Sequence, residues 1–226
     1  MKLLLYGSIL ISLSAGFLEP VTQEPEPAEE IPLSEQIEGL APGPRIAYLR
    51  YLLRTGGVEE AEVYFQLGVA FHESSQMDSA QFYYTKATEV AADYAKAYVN
   101  LGVLYDSQGR LVEALSMFDK AADVNPDDIL AHAHAAFIRF QWRDYSGAWH
   151  HLSRALSIDP DHPQPHFYLA IFFWESKMYR EALAEWETVI ELDAGSDLAR
   201  RARENMNLLQ RVLHSPLESG NKELRK

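Results

Sequence analysis

Residues 95–128 read AKAYVNLGVLYDSQGRLVEALSMFDKAADVNPDD, and this stretch decides the fold. Each half carries large and small residues that fall on one face of a helix, namely Tyr98, Leu101, Gly102 and Tyr105 in the first half and Ala114, Phe118 and Ala121 in the second. Gly109 interrupts the two patterns, and Pro126 marks the end of the unit because proline is tolerated only in a first helical turn. The stretch therefore predicts an antiparallel helix pair.

The same spacing recurs three more times without insertion, in residues 61–94, 129–162 and 163–196. The equivalent positions hold Tyr64, Leu67, Gly68, Phe71, Ala80, Tyr84 and Ala87; then His132, Ala135, Ala136, Arg139, Ala148, Leu152, Ala155 and Pro160; then His166, Leu169, Ala170, Phe173, Ala182, Trp186 and Val189. Small residues recur where two helices must approach closely, and large residues recur where a gap between helices must be filled. The chain is thus predicted to contain four tandem repeats.

This pattern resembles the tetratricopeptide repeat (TPR) family, whose 34-residue units carry these residue types at set offsets. The resemblance implies an all-α fold, an α-solenoid of four helix-turn-helix units. Departures are Ala92 and Ala194 at the usual proline position, and Ala135 and Arg139 where the family prefers Leu and Tyr. Apolar stripes in residues 45–60 and 197–214 predict capping helices at the two ends, the second with arginines on a solvated face.

The segments outside the repeats have their own signatures. Residues 1–16 combine Lys2, an apolar run and small residues at the end, which predicts a secretory signal peptide, with an uncleaved membrane anchor as the alternative. Residues 17–44 are rich in proline and glutamate and predict an extended, disordered linker; residues 215–226 predict a disordered tail. We therefore expect an exported protein of the periplasm or cell envelope, and the absence of cysteine is compatible with an oxidising compartment.

Composition and motifs argue against several functions. A formal net charge of −13 disfavours nucleic acid as a partner, because that affinity depends on Lys and Arg meeting phosphates. Histidine is the only residue class that suggests chemistry, but neighbouring histidines such as His132 and His134, or His150 and His151, lack ligand spacing, and no catalytic motif is present. We expect no enzyme activity, no metal and no cofactor.

The resemblance implies that the first helix of each repeat lines a concave groove. Carried onto this chain, the partner-binding positions include Phe65, Val69, Val99, Asn100, Val103, His134, Phe137, Phe140, Phe167, Tyr168, Ile171 and Trp174. Some family members bind the acidic carboxyl end of a chaperone through a clamp of Lys, Asn and Arg. Here only Asn100 fits that clamp, since Phe65, Val69, Leu130 and His134 occupy its other positions.

These observations predict a non-catalytic protein–protein interaction scaffold or assembly factor of the cell envelope. Its groove would bind an apolar or amphipathic segment of another protein or peptide, with aromatic side chains as anchors. The alternative is a structural self-association module, in which the same aromatic face closes a homodimer.

Overall fold

The computed structural model describes residues 32–214. Within that range the regular structure is entirely helical, which confirms the all-α prediction. The helices are α1 (Leu33–Ile37), α2 (Pro42–Thr55), α3 (Glu60–Glu73), α4 (Met77–Val90), α5 (Ala95–Ser107), α6 (Leu111–Val124), α7 (Ile129–Gln141), α8 (Tyr145–Ile158), α9 (Pro163–Glu175), α10 (Tyr179–Leu192) and α11 (Asp197–His214). The predicted signal peptide and tail lie outside the described residues.

The described residues belong to two compact units that divide between Gln36 and Ile37. The first unit contributes only residues 32–36, most of the short helix α1. The second contains α2 to α11, in which consecutive helices pack against one another as four pairs, α3 with α4, α5 with α6, α7 with α8 and α9 with α10. This arrangement is the predicted solenoid of helix pairs.

One large side chain at the same place in the second helix of each pair fills the gap between helices. These side chains are Tyr84, Phe118, Leu152 and Trp186, all fully buried. In the first two repeats the large ring lies directly against a glycine of the partner helix, so that a Cβ added at Gly102 would sit 2.5 Å from Phe118 Cε1. The recurring small and large residues therefore set how closely the paired helices approach.

The turn inside each pair requires the left-handed backbone region. Ser75, Gly109, Arg143 and Lys177 occupy the same place in the four repeats and have φ between 59° and 73°. Glycine adopts this conformation without steric cost, whereas the other three residues adopt it against their preference. The helix pairing therefore sets the turn conformation whichever residue is present.

The predicted linker, residues 17–44, is wrong at its carboxyl end. Residues 33–37 form α1, and α2 begins at Pro42 rather than after the linker. Pro42 and Pro44 are compatible with helix there because the first N–H groups of a helix have no intrahelical acceptor, so their absence costs nothing. At the carboxyl end of α2, Gly56 caps the helix with φ 74° and donates its N–H to the Leu52 carbonyl at 3.0 Å.

Helix α11 covers the last pair. It packs against α10 and α9, and Ala199, Ala202 and Leu209 are fully buried. Its opposite face carries arginines and stays exposed. Among the helices of residues 32–214, none combines the length and apolar character needed to cross a membrane.

Candidate groove site

The predicted groove residues lie on the first helices of the four pairs, and the structure joins those of α7 and α9 into an aromatic floor. The Phe137 ring stacks on Tyr168 with centroids 4.6 Å apart. Phe140 stacks on Phe172 at 4.0 Å, with the rings within 9° of parallel. Ring stacking of this kind contributes to the packing of α7 against α9. The third and fourth repeats therefore meet through their aromatic side chains.

An open cavity of about 740 Å³ lies at the carboxyl-terminal ends of α7 and α9. Its lining combines three predicted groove residues with five polar or aromatic neighbours: Phe137, Phe140 and Ile171, together with Gln141, Arg143, Tyr145, Glu175 and Ser176. Phe140 contacts the Tyr145 ring edge to face, with centroids 5.5 Å apart. The site thus has a small apolar floor and an extensive polar rim.

The contribution of the turn between α7 and α8 was not predicted. Arg143 and Tyr145 follow the end of α7, outside the positions that the family resemblance assigns to the groove. Tyr145 is 58% exposed, so its ring is accessible beside the cavity. The aromatic residue at the start of α8, two positions after the non-glycine turn residue Arg143, could have suggested it.

His134 lies one helical turn before Phe137 on α7 and contacts Tyr168 of the aromatic floor. Its ring stacks on Phe118 with centroids 4.9 Å apart, and the Tyr168 hydroxyl lies 2.8 Å from its Nδ1. Burial first, and the nearby Arg201 charge second, lower the pKa of His134 to about 4. Burial also raises the pKa of Tyr168 above its usual range. At neutral pH the His134 ring is therefore uncharged, and one hydrogen bond joins its Nδ1 to the Tyr168 hydroxyl.

Four of the predicted groove residues are buried in the structure and do not present a free surface. Phe65, Val99, Phe167 and Tyr168 are all at most 9% exposed. Phe65 packs between Tyr84 and Tyr94, whereas Phe167 lies under Arg201 of α11, whose Cζ is 4.8 Å from the ring centroid. Their prediction as partner-binding positions of the groove is corrected: stacking of neighbouring helices covers them, and they support the surface from beneath.

The remaining predicted residues are partly exposed but do not share one site. Trp174 packs edge to face against Trp186 with centroids 5.2 Å apart, which places it against the core of the last pair. Val69, Asn100 and Val103 lie on α3 and α5, outside the lining of the α7–α9 cavity. The Asn100 side chain donates to the carbonyl of Lys96 at 2.9 Å within its own helix. The cavity lined by Phe137, Phe140 and Ile171 therefore belongs to the third and fourth repeats.

Histidine takes the repeat position at which the first two repeats carry tyrosine. His132 and His166 each place Nε2 within 3.0 Å of the carbonyl of the proline six residues earlier. Nδ1 of each ring contacts the second helix of the same pair. His132 Nδ1 lies 3.1 Å from His151 Nδ1, and His166 Nδ1 lies 2.7 Å from Glu185 Oε2. These hydrogen bonds attach the loop before each pair to both helices of that pair, so the two histidines have a structural role. Within residues 32–214 no group of three His, Cys, Asp or Glu side chains is placed to hold a metal ion.

The pairs, the turn geometry and the capping helix define the class of the molecule as an α-solenoid of helix-turn-helix repeats. Two family models, each described as tetratricopeptide repeat, match residues 61–94 and residues 95–128. The chain therefore contains tetratricopeptide repeats, two of them matched by these models. A search of curated protein sequences finds no significant match.

Solved structures of the same fold include TTC0263, a thermophilic TPR protein in Thermus thermophilus. It is 20% identical, with a TM-score of 0.59, and the match covers 72% of this chain and 89% of that one. MamA is 14% identical with a TM-score of 0.56, covering 77% of this chain and 99% of that one. A double mutant, MamA RS-1 ArsTM, is 17% identical with a TM-score of 0.55, covering 69% and 87%. At these identities the likeness establishes the fold.

Proposed function

We propose that the protein is a non-catalytic interaction scaffold or assembly factor that binds an apolar or amphipathic segment of a partner protein in the α7–α9 cavity. The observation that carries this proposal is the open apolar floor of Phe137, Phe140 and Ile171 beside the exposed ring of Tyr145. Partly exposed aromatic side chains on rigid helices are the usual anchors of helix-groove recognition.

The expected affinity of the apolar contacts alone is low. Full burial of a large apolar side chain contributes roughly 1.5–3 kcal/mol, and most of the surface of the three floor residues is already covered by their neighbours. We therefore expect about 1 kcal/mol from each floor residue and about as much from Tyr145. A sum of about 4 kcal/mol corresponds to a millimolar complex, so a micromolar partner needs further polar contacts.

The location that we propose is outside the cytoplasm, in the periplasm or cell envelope, with membrane attachment through an uncleaved signal as the alternative. The support is the composition of residues 1–16, with a basic start, an apolar run and small residues. Mass spectrometry of the chain recovered from fractionated cells tests this. The expected species lacks residues 1–16, and full-length chain in the cytoplasm would contradict the proposal.

A photoreactive amino acid at Ile171 tests the groove, with a matched control at Trp149, which is 61% exposed on the neighbouring helix α8. The expected result is a partner that crosslinks from Ile171 and not from Trp149. Binding of that purified partner should then weaken several-fold in Phe137→Ala, with helical content unchanged by far-UV circular dichroism. Equal binding by the wild type and Phe137→Ala would refute the groove. Crosslinked copies of the chain alone, with concentration-dependent sedimentation, would support the homodimer instead.

A further inference from the structure

The rim of the α7–α9 cavity carries two opposite charges. Arg143, in the turn after α7, and Glu175, the last residue of α9, are the charged residues of the lining, and both are exposed. Within residues 32–214 neither side chain makes a hydrogen bond or an ion pair, with the other or with any third residue. A positive and a negative charge therefore lie beside one apolar floor, each without a partner in the part of the chain that the structure describes.

Arg143 is unpaired because the carboxylate next to it in the chain is already engaged. Asp144 accepts from the Gly147 N–H at 3.0 Å and pairs with Arg139 of α7 at 3.5 Å. Arg139 in turn pairs with Asp119 of α6 at 2.9 Å. Asp144 thus holds the turn between α7 and α8 against the rest of the repeat. A carboxylate for Arg143 has to come from outside residues 32–214.

The first repeat shows which group a glutamate at this position binds. Glu73 is the last residue of α3, as Glu175 is of α9, and the two occupy the same place in their repeats. The Arg45 guanidinium of the neighbouring helix α2 donates to both carboxylate oxygens of Glu73, at 3.1 and 3.0 Å. The second and third repeats have the uncharged residues Ser107 and Gln141 there. The complement of Glu175 is therefore a Lys or Arg on a segment that packs beside α9.

The two rim charges restrict the kind of segment that the cavity accepts. A purely apolar segment would cover Arg143 and Glu175 without giving either a partner, and burial of an unpaired charge is costly. We propose that the two side chains recognise a partner segment in which one acidic and one basic residue flank an apolar residue. Its Asp or Glu side chain pairs with Arg143, its Lys or Arg pairs with Glu175, and its apolar side chain contacts the floor of Phe137, Phe140 and Ile171. This inference rests on the proposed function and names the polar contacts that the apolar floor lacks.

The packing of α7 against α9 sets the spacing of the partner's two charges. Arg143 follows the carboxyl end of α7, Glu175 is at the carboxyl end of α9, and the two helices are in contact. The axes of packed helices lie about 8–10 Å apart. An extended peptide advances about 3.3 Å per residue. The acidic and the basic residue of the partner should therefore lie about three positions apart, or roughly two to four when the reach of their side chains is included.

Selection from a random peptide library tests the inference without knowledge of the partner. Display in many copies per phage allows weak binders to be enriched. The immobilised full chain is compared with Arg143→Gln and Glu175→Gln. The controls are Lys177→Gln, at the equivalent turn position of the fourth repeat, and Glu187→Gln, an exposed carboxylate of α10, because neither residue lines the cavity.

The expected result is a motif with both charges, selected by the wild type and by both controls. Arg143→Gln should lose the preference for the acidic residue, and Glu175→Gln should lose the preference for the basic one. Apolar peptides without the two charges, enriched equally by all five chains, would overturn the charge pair but support the groove. No enrichment by any chain would contradict both.

Synthetic peptides from the selected sequence then test each ion pair by charge reversal. All of them have an amidated carboxyl end, so the acidic group that is tested is a side chain. Replacing the basic residue of the peptide by Gln should weaken binding to the wild type about threefold, as expected for an exposed ion pair, and should not affect binding to Glu175→Gln. Glu175→Lys should bind the selected peptide poorly and prefer the peptide whose basic residue is changed to Glu. If this reversal does not restore binding while Phe137→Ala still weakens it, the charge pair is refuted and the groove is retained.

Discussion

Replacing Gly102 by alanine measures how closely the paired helices must approach. A Cβ at this position would lie 2.5 Å from Phe118 Cε1 and 2.8 Å from both Cδ1 and Cζ, about 1 Å inside an ordinary contact. The Phe118 ring cannot easily move away, because it is fully buried and stacked on His134 with centroids 4.9 Å apart. The substitution therefore forces either the ring or the helix to shift.

The magnitude follows from two opposing effects. Overpacking of a buried site costs about 1–3 kcal/mol, and an overlap of this size belongs in the upper half of that range. Alanine in place of glycine inside a helix recovers about 1 kcal/mol. We expect Gly102→Ala to lower the free energy of unfolding by about 1–2 kcal/mol. Equilibrium denaturation followed by far-UV circular dichroism is the assay.

Two further variants make that result decisive. Gly43→Ala lies in α2 with nothing within 4 Å of the added Cβ, so it should be neutral or slightly stabilising. Combining Gly102→Ala with Phe118→Leu makes room for the methyl group, so the double variant should be more stable than the sum of the two single changes predicts. A neutral or stabilising Gly102→Ala, or strict additivity of the pair, would show that the glycine is not required for close packing.

Three other predictions concern stability. Lys177→Gly relieves a φ of 61° and should raise the free energy of unfolding by up to about 1 kcal/mol in urea denaturation; a loss would show that the lysine side chain stabilises the turn. The pKa values of His134 and His151 are lowered to about 4, so the native state favours their neutral forms. The free energy of unfolding should therefore be highest above pH 6.5 and should fall by roughly 2–4 kcal/mol in total, after allowance for screening, as the pH drops to 4. A flat profile of the free energy of unfolding over this pH window would contradict the burial of both rings. Asp128→Ala removes the oxygen that accepts from the Ala131 N–H at 2.9 Å and should cost about 1 kcal/mol in thermal denaturation, whereas Asp128→Asn should retain most of it.

The fold could be predicted because its determinants are local. The same position of each 34-residue repeat is fully buried, as its recurrence in the sequence predicts. It is occupied by Tyr84, Phe118, Leu152 and Trp186. The cavity was only partly predictable. Phe137, Phe140 and Ile171 follow from helix position, since residues at one offset share a face.

The rest of the site depends on how non-adjacent helices meet. Helical spacing cannot show that Phe167 is covered, because the covering group, Arg201, comes from α11. It also cannot place Arg143 beside the cavity, because that residue lies in a turn outside the repeat face. The contact of His132 with His151 was missed for a different reason, since it joins the two helices of one pair at a separation of 19 residues that no motif records.

The burial of Trp186 has an optical consequence. All four tryptophans lie between residues 142 and 186, in the third and fourth repeats. Trp186 is fully buried, whereas Trp142 is 46% and Trp149 61% exposed, so the change in intrinsic fluorescence on unfolding should come mainly from Trp186 and its neighbour Trp174. Fluorescence therefore reports the melting of the repeats that carry the cavity, while the helical signal reports the whole array. In a molecule whose repeats contact mainly their neighbours, the two curves can separate, and the interval between them would measure how independently the binding half of the protein opens.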